Sequence, residues 1–128
     1  MSAMSDYLEN EILDHILRNA AYTPASTVYI GLSTGSFNDD NSGTELSGNG
    51  YTRKSIAFDA ASGGVSDNTS NVDFDAATGS WGSVSHFGLF DASSSGNLLI
   101  HGAFSAAKTV ASGDILRIAA GELDITAA

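Results

Sequence analysis

Leu8, Ile12 and Ile16 recur every fourth position, and Leu13 and Leu17 widen that stripe. This spacing predicts an amphipathic helix over residues 5–18. Ser5 is placed to cap it. Asp6, Glu9 and Glu11 lie towards its start and Arg18 near its end, as the helix dipole favours. Pro24, the only proline, marks the boundary before the next element. Beyond it the period shortens to that of strands. Residues 27–32, 52–58, 71–74, 83–90, 98–104, 114–118 and 123–126 read as strands, with Ile56 and Phe58 on one face of the second. Clusters such as Ser93-Ser94-Ser95-Gly96-Asn97 and Ala111-Ser112-Gly113-Asp114 separate them as turns.

Short strands divided by turns, with no alternation of strand and long helix, predict a mainly β chain. The expected fold is an antiparallel β-sandwich, jelly-roll or Ig-like, with one N-terminal amphipathic α-helix. The chain divides into a helical segment, residues 1–22, and a sandwich domain, residues 23–128. Residues 34–49 are long for a plain loop and are a candidate recognition surface.

Composition narrows the function. The chain has 128 residues, enough for one domain, and only 16% are charged. Fifteen acids against five bases give a formal charge of −10. Nucleic acid and anionic membranes, which recruit Lys and Arg, are not expected partners. No cysteine is present, which removes disulfides, zinc–thiolate sites and thiol nucleophiles. No apolar run reaches the roughly 18 residues of a spanning helix. The first residues lack the basic start and apolar stretch of a secretion signal.

Motifs with chemical meaning are each outweighed by a structural reading. Gly31-Leu32-Ser33-Thr34-Gly35 fits G-x-S-x-G, but no helix follows it and the chain is too short for a hydrolase sheet, so a strand-ending turn is expected. His15, His86 and His101 are scattered rather than held at linked spacing. Asp39, Asn41, Gly43 and Glu45 recur every second position without the framework of a calcium loop. Asp73 and Asp75 flank Phe74 and read as a solvent face rather than an acid/base pair. Trp81 reads as a core or interface anchor. No cofactor and no enzymatic activity are expected. The helix is the informative feature, because its stripe must be covered by its own sandwich or by a neighbouring molecule. Leu8, Ile12, Ile16 and Trp81 are the candidate docking residues.

Several stretches resemble one family. They are residues 5–17 followed by Thr27-Val28-Tyr29-Ile30-Gly31-Leu32, then Gly43-Thr44-Glu45-Leu46-Ser47-Gly48 and Gly50-Tyr51-Thr52-Arg53. Trp81-Gly82-Ser83-Val84-Ser85-His86-Phe87-Gly88-Leu89-Phe90-Asp91, residues 96–102 and residues 112–125 continue it. Together they resemble small structural proteins of tailed bacteriophages, described as tail fibre proteins and similar to capsid cement or decoration proteins. The resemblance implies a virion-surface protein assembled in the host cytoplasm. It implies contacts with the major capsid protein or with tail proteins, and a homotrimer. A chain of this size without repeats lacks the elongated region of a fibre, so the leading expectation is a capsid-decorating cement protein that bridges capsid subunits. A tail-fibre or tail-tip component is the alternative. A sugar-binding module using Trp81 and the 34–49 loop is the weaker one.

Overall fold

A computed structural model describes residues 2–127, so positions 1 and 128, which bound the two expected segments, lie outside it. The elements are β1 (Ser2–Met4), α1 (Asp6–Leu17), β2 (Val28–Ser33), β3 (Lys54–Ile56), β4 (Val65–Asp67), β5 (Val72–Asp73), β6 (Gly82–Phe90), β7 (Leu98–Val110), β8 (Arg117–Ile118) and β9 (Asp124–Thr126). The fold is mainly β, antiparallel throughout, with one helix. Five strands form the main sheet in the order β1-β7-β6-β2-β3, and the facing layer is two short ladders, β4-β9 and β5-β8.

Alternation along the central strands decides which side chains enter the core. Ile30 pairs with Leu89, and Leu32 with Phe87, so all four point to one face. From the other layer Phe74, Leu116, Ile118 and Leu123 meet them in one buried cluster. The ladders are also stitched to both edges of the sheet. Beyond β3, the Asp59 amide donates to the Asp67 carbonyl and Thr69 to Ala57, both at 2.9 Å. At the opposite edge the Thr126 amide donates to Ser2 Oγ at 3.2 Å. The chain flanking β3 and the start of β1 are thus hydrogen-bonded to the facing layer.

Three features depart from the sequence expectation. β1 was not anticipated. Three residues carry no readable period, and β1 exists because Ser2–Met4 pairs with Gly102, His101 and Ile100 of β7. β4 was not anticipated either and follows a turn whose Gly63 and Gly64 both have positive φ. β7 runs six residues past the expected end at Phe104. There, Val84 pairs with Lys108 and His86 with Ala103, so Ser85 alone stands opposite residues 104–107. That bulge erases the two-residue period that would have revealed the strand.

The reverse face of the sheet explains two mid-strand glycines. Gly31 and Gly88 are register partners. A Cβ on Gly31 would lie 2.7 Å from Glu45 Oε2, and one on Gly88 would lie 3.0 Å from both Leu98 and Phe90. The pair opens a slot that admits the side chains of Phe37, Glu45 and Tyr51 to the sheet.

Candidate functional site

The helix is held firmly at one end only. Ser5 caps it, accepting from the Leu8 amide at 3.2 Å and donating its hydroxyl to the Leu98 carbonyl. The Ser5 amide donates to the Leu99 carbonyl at 2.8 Å and the Asp6 amide to Asp39 at 2.9 Å. Leu8 is buried and lines an apolar cavity of about 250 Å³ with Tyr22, Val28, Leu89 and Leu99. One turn later Ile12 is half-buried. Beyond it the stripe leaves the body of the protein: Leu13 is 54% exposed, Ile16 69% and Leu17 74%. Among the described residues the other large exposed hydrophobic is Ile115, so three of the four crowd five positions of α1. Met4, Glu9, Ile12 and Leu13 border a shallow groove beside them.

Charge around this face is one-sided. Every Lys and Arg of the chain is already in an ion pair: Arg18 with Asp14, Arg53 with Glu45, Lys54 with Asp75, Lys108 with Glu122 and Arg117 with Asp73. His101 Nε2 lies 2.6 Å from Asp39 Oδ1. Asp6, Glu9 and Glu11 of α1 have no cationic partner among the described residues.

A second cluster resembles an active site in composition. Arg53 Nε donates to Glu45 Oε2 at 2.9 Å and Nη2 to Oε1 at 2.8 Å, a two-pronged pair. The Tyr51 hydroxyl donates to Glu45 Oε2 and receives the Leu32 amide at 3.0 Å. Arg53 Nη1 donates to the carbonyls of Ala92 and Ser95, each at 2.8 Å, and the guanidinium lies 3.6 Å above the Phe90 ring. Burial, and then the hydrogen bond to Glu45, push the Tyr51 phenol above its ordinary value. It stays a donor. With Glu45 taking three hydrogen bonds and the Arg53 side chain only 7% exposed, the cluster ties the 91–97 hairpin tip to the 45–53 segment. No free base or nucleophile is left in it.

Leu8, Ile12 and Ile16 share α1, as the periodicity predicts. Trp81 does not join them. It is 5% exposed, packs edge-on to Tyr51 and Phe74, and donates its indole N–H to the Asn49 carbonyl at 2.9 Å. Ser33 ends β2 buried, donating to the Thr44 carbonyl and receiving the Gly35 amide at 3.1 Å, which is a turn. The histidines stay apart: His15 lies against the Ala20 carbonyl, His86 against Ser85 and His101 against Asp39. In the 34–49 loop Glu45 turns inwards to Arg53 while Asp39 faces His101, so the alternating polar residues do not converge. Among the described residues no three metal-ligating side chains gather, and no helix is long and apolar enough to cross a membrane. Sequence reasoning missed the Glu45–Tyr51–Arg53 cluster. Its one readable signal was Gly31 and Gly88 inside strong strand runs, where a glycine marks a close approach.

This geometry defines a small antiparallel β protein in which the open surface is an apolar helix face. Residues 3–126 match the model of the family described as Podophage GP4 fiber I protein gp80. The chain belongs to that phage tail fibre family and is a bacteriophage virion structural protein. Comparison with curated proteins found no match.

Proposed function

We propose that this chain is a non-enzymatic component of the phage tail fibre, fixed to its neighbours through α1. The exposed Leu13, Ile16 and Leu17 carry this reading, because a lone amphipathic helix gains stability when its apolar side is covered. The full-length family match supports the tail over the head. The capsid-cement role expected first from the sequence has no such support, and the sugar-binding reading has its stacking residue, Trp81, in the core. Assembly in the host cytoplasm and a trimeric arrangement complete the proposal.

Electron microscopy of intact virions with a gold-labelled antibody tests it. Label confined to the tail is the expected result. Label spread over the head overturns the tail reading in favour of a cement role.

A further inference from the structure

Two apolar surfaces of this chain are left open, and they have opposite shapes. One protrudes: Leu13, Ile16 and Leu17 stand in solvent at the end of α1. The other is the apolar cavity of about 250 Å³ beside Leu8. Tyr22, Phe58, Ser66 and Ile125 of its wall are only half-buried, so it opens to solvent. A cavity of about 150 Å³ already holds a benzene-sized group, so this one has room for an isoleucine or leucine side chain and more. The helix end does not reach the cavity of its own chain. Leu8 is fixed in the wall, and Leu17 is carried roughly 13 Å further along the helix axis.

Charge matches the two surfaces to each other. Arg18 directly follows Leu17. Its side chain is 75% exposed, the most open of the five bases, and its pair with Asp14 is loose at 3.5 Å. The cavity side is acidic. Asp59, Asp67 and Asp124 each adjoin a wall residue in sequence: Phe58, Ser66 and Ile125. A hydrogen bond with Asp124, then burial, then the charges of Asp124 and Asp59 raise the Asp67 carboxyl, so the three acids lie together. Among the described residues none of them has a cationic partner. One sequence thus carries both halves of a contact: an apolar end with a cation behind it, and an apolar recess with acids beside it.

We propose that the end of α1 inserts into the cavity of a second copy of this chain, with Ile16 and Leu17 as the filling side chains and Arg18 reaching the Asp59–Asp67–Asp124 group. Two different patches meet, so the contact runs head to tail and closes into a ring where the rotation between copies allows it. The helix enters without reorganisation, because its cap and Leu8 already hold it. The formal charge of −10 on each copy opposes approach. At about 0.15 M salt that repulsion is screened beyond about 8 Å, whereas Arg18 acts at contact. This contact deepens the reading that α1 fixes the chain to its neighbours, and rests on it.

Sedimentation of the purified full chain at about 0.15 M salt, from about 1 to about 300 μM, tests it. The wild type is expected to self-associate as concentration rises. Leu17→Asp is expected to associate roughly thirtyfold more weakly, as for a central contact residue, and Arg18→Ala about fivefold more weakly. Circular dichroism and the unfolding midpoint of both variants are expected to match the wild type, since both side chains are exposed. The chain has no cysteine, so one introduced per copy reports where the copies touch. Leu17→Cys mixed with Ser66→Cys is expected, on mild oxidation, to give mainly the linked pair of one of each, which needs their Cα atoms within about 7 Å. Linked Leu17→Cys pairs in excess mean that helix packs on helix and overturn the proposal, as does the absence of any linked pair. Unchanged association of Leu17→Asp or of Arg18→Ala overturns it too. A wild type that stays monomeric overturns it in favour of a different protein on α1 and leaves the tail reading intact. Antibody label on heads sinks the tail reading and leaves the contact between copies standing.

Discussion

The Glu45–Tyr51–Arg53 cluster and the free face of α1 invert the usual arrangement of a small domain. In the first, charged and polar groups are enclosed and every one has a partner. In the second, large apolar groups stand in solvent and the acids beside them have none. Composition alone points to the wrong one of the two. A carboxylate, a phenol and a guanidinium within hydrogen-bond reach look like chemistry, yet saturation of the carboxylate makes them a clasp. A plain aliphatic stripe looks like core, yet the core closes without its last two turns. In this chain the useful question is which groups remain unsatisfied, and the answer is on α1.

Breaking the clasp has the largest expected effect. Arg53→Ala leaves the Glu45 carboxylate largely enclosed without its cation and frees the Ala92 and Ser95 carbonyls. A loss of about 3 kcal/mol is expected, at the low end for a broken buried pair because the Glu45 side chain keeps some contact with water. Urea unfolding measures it. A loss within about 0.5 kcal/mol, the range of an ordinary surface substitution, shows that the cluster is not what holds the hairpin tip.

Two substitutions on one helix sharpen the contrast. Leu8→Ala removes a buried side chain and is expected to cost about 2–3 kcal/mol, the lower part of the usual range because Leu8 already borders a cavity. Ile16→Asp, two turns on, is expected to stay within about 0.5 kcal/mol of the wild type. Comparable losses at both positions place the whole stripe in the core and close the face to any partner.

Much of this contrast was legible in the residues, and the part that was not has physical causes. The helix, its cap and the central strands follow from local periodicity, and β6 departs from its expected span by one residue. β1 and the second half of β7 depend on long-range pairing and on a bulge, which leave no local period. The stripe on α1 was readable, but where it leaves the core was not, because that depends on how far the sheet beneath it extends. Trp81 was readable as an anchor but not as remote from α1. The clasp was the least legible, since Glu45 and Arg53 are joined only by a loop folding over two glycines.

The smallest expected effect tests the premise that unpaired acids are a burden here. Asp67 and Asp124 are register partners in the β4-β9 ladder, with no base between them. A hydrogen bond shared with Asp124 is the first cause that raises the Asp67 carboxyl above its ordinary 3.8; desolvation and the Asp124 charge follow. A raised carboxyl favours the folded state when protonated. Its contribution is complete below the ordinary value and is lost as pH rises through the raised one. At pH 7 the two carboxylates therefore repel across the ladder. Asp67→Asn is expected to raise the unfolding midpoint slightly at pH 7, and the gain is expected to fade as pH drops towards 4 and below. Calorimetry across that interval measures both. A midpoint that is unchanged at pH 7 means that like charges on this chain relax into solvent without cost.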